Sequence, residues 1–131
     1  MQKLISVLFV VCLTMGCLSK AKSYSDTFGR IENASEISLE ASALNHDGTF
    51  NNKVKPITDS QQISRFLDEI NNAKENGPGK AGYQYYLKIV TKDSTVRIMT
   101  TGLIFSYYGD GMMYEFKNKN ILKEYWNINI N

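Results

Sequence analysis

Hydrophobic and polar residues alternate along much of the chain, which is the pattern of half-buried β-strands. The apolar positions recur every second residue before the Asp47–Gly48 pair, which supplies the positive φ that a tight hairpin turn needs. The pattern predicts six strands, at 36–44, 49–57, 83–91, 96–100, 104–108 and 112–116. Successive hairpins of this kind indicate antiparallel pairing.

One segment has apolar residues at steps of three and four instead, which predicts an amphipathic helix over 59–74. Its apolar stripe is Ile63, Phe66, Leu67, Ile70 and Ala73. Thr58 and Gln61 have the spacing of a capping box, and a short C-terminal helix with Leu122 and Trp126 on its buried side is predicted near the end. The expected fold is α+β, an antiparallel sheet of about five to six strands with the main helix on one face.

The first residues of the chain have the pattern of an export signal. Lys3 precedes an apolar run at 4–13, and the small residue Gly16 and then Cys17 follow. This run is shorter than the roughly 20 apolar residues that cross a bilayer. We therefore predict a signal peptide at 1–16, a polar tether at 17–30 and one α+β domain at 31–131. In an alternative interpretation, Tyr24 and Phe28 of the tether dock on the domain.

Two cleavage sites compete. Through Leu13, Gly16 and Cys17 the segment resembles bacterial lipoprotein precursors, and this resemblance implies cleavage before Cys17 and acylation of that residue. The alternative is ordinary cleavage after Ala21, where Ser19 and Ala21 supply a small-x-small pattern. The first predicts a domain anchored by lipid to the cell membrane or outer membrane, facing the periplasm or the exterior. The second predicts a periplasmic or secreted protein.

The composition limits the kinds of ligand that we expect the chain to bind. The formal net charge is +2, too small to predict nucleic-acid binding. Both cysteines, Cys12 and Cys17, lie in the export region, and His46 is the only histidine. Structural zinc sites use four such ligands, so we expect neither a metal nor a cofactor.

The segment 57–114 is also similar to uncharacterised small secreted or lipid-anchored bacterial proteins. The shared features are the capped helix, the strand of alternating aromatic and aliphatic residues, the Lys92–Asp93 turn and the Gly109–Gly111 turn. This resemblance implies a small α+β domain and no particular activity.

The residues that could support catalysis fall where solvent is expected. His46 belongs to the predicted hairpin turn, and so we expect it to be solvated. The acidic candidates for a carboxylate pair lie on outward faces or in turns; they are Glu40, Asp68, Glu69, Asp93, Asp110 and Glu115. We therefore predict no catalytic residues and a non-enzymatic protein.

The C-terminal strands contain more aromatic residues than one buried face requires. If Leu87 and Ile98 face the helix, then Tyr86 and Arg97 project to the opposite side, and Tyr108 joins them if the register holds across Gly102. Tyr and Arg are enriched at interface cores. The leading hypothesis is a membrane-tethered domain that binds an envelope protein through Tyr86, Arg97 and Tyr108. The alternatives are an inhibitor or immunity protein against a toxin or hydrolase, and a small cell-wall hydrolase.

Overall fold

The computed structural model describes residues 20–41, 54–107 and 111–130. It confirms the α+β class: the described residues form a six-stranded antiparallel sheet and three helices. The helices and strands, in chain order, are α1 (Tyr24–Phe28), β1 (Ala34–Ala41), α2 (Ser60–Asn72), β2 (Lys74–Pro78), β3 (Tyr85–Thr91), β4 (Thr95–Thr100), β5 (Ile104–Tyr107), β6 (Met112–Glu115) and α3 (Ile121–Trp126). In the sheet, the strands lie in the order β1-β3-β4-β5-β6-β2.

One face of the sheet forms the core. Leu87 in β3 pairs with Leu39 in β1 on one side and with Ile98 in β4 on the other. These positions are buried, and the same face continues through Phe105 in β5 and Tyr114 in β6. The two-residue alternation in the sequence therefore predicted which side of these strands faces inward.

The main helix α2 covers this face with the predicted stripe, and Phe66 packs edge-on against Trp126 of α3 with the ring centroids 5.4 Å apart. The predicted capping box is wrong in its register. Asp59, and not Thr58, is the N-cap, and its Oδ1 accepts a hydrogen bond from Gln62 N at 2.9 Å. A carboxylate at the cap also faces the positive end of the helix dipole.

The helix ends at Asn72, two residues before the predicted boundary, because Lys74 begins a strand that the pattern did not indicate. β2 contains Asn76, Gly77 and Pro78, and it tolerates them because it lies at an edge of the sheet. The predicted turn at 45–48 and most of the predicted strand at 49–57 lie outside the described residues. The end of that strand is described, and Ile57 pairs antiparallel with Ile37.

The segment assigned to the tether contributes to the domain, as the docked alternative proposed. Ser23 and Asp26 form a reciprocal capping box that starts α1. Tyr24 is only 1% exposed, and its ring lies 5.6 Å from Phe105 and 5.4 Å from Tyr114, centroid to centroid. Burial of this large ring makes α1 part of the packed core.

Short pieces of chain bond to part of each edge of the sheet. At the β1 edge, Ile37 and Ile57 exchange two backbone hydrogen bonds of 3.0 and 2.8 Å. At the β2 edge, Tyr24 N donates to Ala73 O at 2.9 Å and Glu75 N donates to Lys22 O at 3.0 Å. These bonds occupy backbone groups that an exposed edge would otherwise offer to another chain.

Candidate functional site

The face of the sheet opposite the core is the first candidate for a binding surface. None of the helices in the described part of the chain contributes buried residues to it. In β3, Leu87 and Ile89 are buried, so Tyr86 and Lys88, which alternate with them, point outward. The strand register extends this outward face to β1 and β4. Tyr86 pairs with Glu40 and Met99, and Lys88 pairs with Ser38 and Arg97. We call Glu40, Tyr86, Lys88 and Arg97 the outer patch.

An ion pair spans the outer patch. Arg97 Nη2 lies 3.8 Å from Glu40 Oε2, and these residues belong to β4 and β1, with β3 between them. The two side chains therefore meet above β3, on the side where Tyr86 and Lys88 project. Both remain substantially exposed, so the pair adds little to stability. It places a cationic group and a carboxylate on the same exposed face as the tyrosine.

The other half of this face is covered by the chain itself. β2 and β3 are four strand spacings apart, about 19 Å, and residues 79–84 connect them. The start of this crossover lies on the outer side, because a Cβ on Gly79 would lie 2.8 Å from Met113 Cε, and Met113 alternates with buried Tyr114. Consistent with this, Ser106 is only 3% exposed although it faces away from the core. The outer patch is the part of the face that stays accessible.

The structure brings together two of the three residues predicted to bind a partner. Tyr86 and Arg97 lie on adjacent strands of one face, as the parity argument predicted. Tyr108 lies outside the described residues, and so does Cys17, the predicted site of lipid attachment.

A second candidate surface lies at one end of the core face, and sequence reasoning missed it. Phe28 and Tyr107 are 38% and 37% exposed, and their rings lie 4.9 Å apart. They line a groove of about 320 Å³ together with Tyr24, Val96 and the turn after β3. Its polar rim includes Arg30, Glu32, Thr91, Asp93 and Ser94. The available signal was the i, i+4 spacing of Tyr24 and Phe28, which places both rings on one side of a helical turn.

The acidic candidates for catalysis have structural partners. Glu40 pairs with Arg97, Asp68 pairs with Arg30 at 3.3 Å, and Glu115 pairs with Lys119. Glu69 accepts a hydrogen bond from Asn118 N at 3.2 Å, and Asp93 is exposed in the turn after β3. Across residues 20–41, 54–107 and 111–130, no three His, Cys, Asp or Glu side chains are grouped as metal ligands would be. His46 and Asp110 lie outside the described residues.

Among the residues that the structure describes, two side chains have clearly displaced pKa values, and the causes are structural. The Ser23 backbone N–H donates to Asp26 Oδ2 at 2.8 Å, and this bond, helped by the Ser23 hydroxyl, lowers the pKa of Asp26. Partial burial raises the pKa of Tyr125. Asp26 belongs to the cap of α1 and Tyr125 packs on Phe66, so both shifts belong to the folding of the domain.

Comparison with known protein families, with curated proteins and with solved structures finds no match to this chain. In the part of the chain that the structure describes, no helix combines the length and apolarity needed to cross a membrane.

Proposed function

We propose that this chain is an exported, lipid-anchored and non-enzymatic domain that binds a protein partner in the bacterial cell envelope. The observation that carries the binding proposal is the outer patch. It places Tyr86, Lys88 and Arg97 on a rigid, antiparallel sheet, in an area that neither a helix of the described chain nor the 79–84 crossover covers. The anchoring proposal rests on the export signal and on Cys17.

The backbone hydrogen bonds at the two edges of the sheet limit where a partner would dock. Proteins that recognise extended peptides often add them as an extra strand at an open sheet edge. Here Ile57 already bonds to β1, and Lys22 and Tyr24 bond to the β2 edge. A partner therefore contacts side chains on the outer patch. Tyrosine gives a large contact area at low entropy cost, and the Arg97 guanidinium offers several hydrogen-bond donors.

The test uses the mature chain from residue 17 carrying Cys17→Ser as bait in a detergent extract of cell envelopes. A captured protein is then bound again in purified form. The double variant Tyr86→Ala/Arg97→Ala should bind that protein about 10- to 100-fold more weakly, which is the range expected for hot-spot residues. The matched control is Gln62→Ala/Arg65→Ala on the solvent side of α2, where both residues are exposed. It should bind like the wild type.

Equal binding by the two double variants would place the interface elsewhere and end the outer-patch proposal. The identity of the captured protein also separates the alternatives, since an inhibitor or immunity protein would retain a toxin or hydrolase and block its activity. Turnover of purified cell-wall glycan by the wild-type chain would instead show an enzyme. Mass spectrometry of the native protein tests the anchor, because a free N-terminus at Lys22 would show cleavage after Ala21.

A further inference from the structure

We propose that the end of the domain bearing Phe28 and Tyr107 rests on an anionic membrane surface. We call this the groove end; besides these rings it comprises the turn of residues 92–94 and the β2 terminus at Pro78 and Gly79. The opposite end, called the far end, contains Leu103, Lys119 and Lys123. The inference rests on the proposed function, because it takes Cys17 as the point of lipid attachment.

The first argument is the direction of the chain. Ser23 pairs antiparallel with Lys74, and Glu75 N donates to Lys22 O, so the described residues before Ser23 continue along β2 in the direction of Pro78. Pro78 pairs with Met112 at the start of β6, and Gly79 N donates to Gly111 O at 3.0 Å. β6 begins at the end of the sheet where β5 finishes with Tyr107. At residues 20–22, the first that the structure describes, the chain therefore points toward the groove end.

The second argument is the length of the segment that joins Cys17 to Ser23, which we call the leash. Five residues separate Cys17 from Ser23. Even fully extended, the six steps from Cys17 to Ser23 span only about 20 Å. Passing the length of β2 from Lys74 to Pro78 uses about 13 Å of this reach. If the leash continues in the direction of its described residues, a lipid on Cys17 keeps the groove end within a few ångströms of the membrane surface.

The third argument is the chemistry of the groove end. Phe28 and Tyr107 are exposed, and aromatic rings favour the boundary between the headgroups and the acyl chains. Lys20, Lys22, Lys80 and Lys92 are exposed; Lys80 follows Gly79 at the β2 terminus, and Lys92 lies in the turn after β3. The nearby carboxylates Asp26 and Asp93 offset part of this charge, and Arg30 is itself paired with Glu32 and Asp68. A surface that combines exposed rings with an excess of cations is complementary to anionic headgroups.

The far end provides an internal comparison. Leu103 is 40% exposed, which matches the exposure of Phe28 and Tyr107, and Lys119 and Lys123 lie around it. It therefore has similar ingredients, and Ser23 itself lies near this end, because Ser23 pairs with Lys74 and Lys74 pairs with Glu115. The difference is the direction of the chain before Ser23, which points away from the far end. Exposure alone predicts equal membrane binding at both ends, whereas the proposal predicts binding at the groove end.

A single-cysteine experiment tests this. The mature chain with Cys17→Ser contains no cysteine, because Cys12 belongs to the export segment. We introduce Thr27→Cys beside Phe28, or Asn129→Cys near Leu103, both at exposed polar positions, and attach an environment-sensitive dye. The probes are vesicles of phosphatidylglycerol with phosphatidylcholine, and of phosphatidylcholine alone. The dye at residue 27 should shift to the blue with anionic vesicles, and the dye at residue 129 should not respond.

Substitutions then identify the groups responsible. Lys20→Gln/Lys22→Gln should weaken vesicle binding by one order of magnitude or more, at about fivefold per lysine. Lys119→Gln/Lys123→Gln should leave it unchanged. Tyr107→Ser should weaken binding several-fold while Leu103→Ser does not, and circular dichroism verifies that each variant is folded.

The proposal is overturned if both dyes respond equally, if only the dye at residue 129 responds, or if neither responds at millimolar lipid. Binding of purified cell-wall glycan that depends on Tyr107, without any response to vesicles, would assign the groove to a sugar ligand instead. The test chain carries no acyl group. A negative result therefore leaves the acylation of Cys17 standing, and a native protein without lipid leaves the vesicle result standing.

Discussion

The two faces of the sheet are built from the same strands, yet they differ in almost every physical property. On the inner face Ile37, Leu87 and Ile98 are fully buried beneath the helices. On the outer patch Arg97 and Glu40 form an exposed ion pair beside Tyr86. Burial of apolar area contributes roughly 25 cal/mol per Å², while an exposed ion pair contributes about 0–1 kcal/mol. Most of the stabilising free energy therefore comes from the inner face, and residues of the outer patch can be replaced with little loss of stability.

The largest effect should come from removing a ring above the inner face. Phe66 is fully buried in α2 and contacts the rings of Tyr125 and Trp126. We expect Phe66→Ala to reduce the free energy of unfolding by about 3–5 kcal/mol, through lost burial and the cavity left behind. Urea unfolding followed by circular dichroism measures this. The neighbouring Arg65→Ala, on the exposed side of the same helix, should change stability by less than about 0.5 kcal/mol.

A loss close to 1 kcal/mol for Phe66→Ala would show that α2 is loosely packed, and the contrast between the faces would then be much weaker than the structure indicates.

A buried polar group sharpens the same comparison. The Asn71 side chain is buried, accepts from Ile31 N at 2.8 Å and donates to Ile31 O at 3.0 Å. Asn71→Ala leaves both backbone groups without these partners, so we expect a loss of about 2–3 kcal/mol. Asn72→Ala is the control, because the exposed Asn72 side chain bonds only to Asp68 O of its own helix. Thermal unfolding of the two variants should differ clearly, and similar midpoints would contradict the structural importance of Asn71.

The outer patch should tolerate change. Arg97→Ala removes the 3.8 Å ion pair with Glu40, and we expect a loss of at most about 1 kcal/mol because both side chains are exposed. A double-mutant cycle with Glu40→Ala measures the coupling directly. A coupling energy above about 2 kcal/mol would mean that the patch is part of the stabilising framework, and Tyr86 and Arg97 would then be poor candidates for an adaptable binding surface.

The sequence pattern predicted the elements whose periodicity reflects burial on one side. The stripe of α2 and the alternation of β3 each follow from one dominant interaction, so local reading was sufficient. It failed where the partner is distant in sequence. β2 has no alternating apolar residues and exists through its pairing with β6, and α1 is five residues long and is held by Tyr24 against Phe105 and Tyr114.

The candidate sites divide in the same way. Tyr86 and Arg97 share the outer patch because parity and register are local properties of paired strands, and both could be inferred from Leu87 and Ile98. The groove end could not be inferred from such local properties. Phe28 and Tyr107 are far apart in the chain, and they meet because the segment assigned to the tether packs against the sheet. Composition described that segment as polar and gave no information about where its two rings would lie.

The smallest predicted effect concerns this same segment and depends on pH. The Ser23 N–H bond lowers the pKa of Asp26 below its ordinary value of 3.8 in the folded state. The ionised carboxylate therefore stabilises the fold above pH 3.8, and this contribution is lost as the pH falls through the lowered folded-state pKa. Asp26→Asn should lower the thermal midpoint slightly at neutral pH, and the gap to the wild type should close over the acidic range from pH 3.8 downward, as the carboxylate becomes protonated in the folded state. A gap that stays constant over that range would show that the capping box depends on the shape of the side chain and not on its charge.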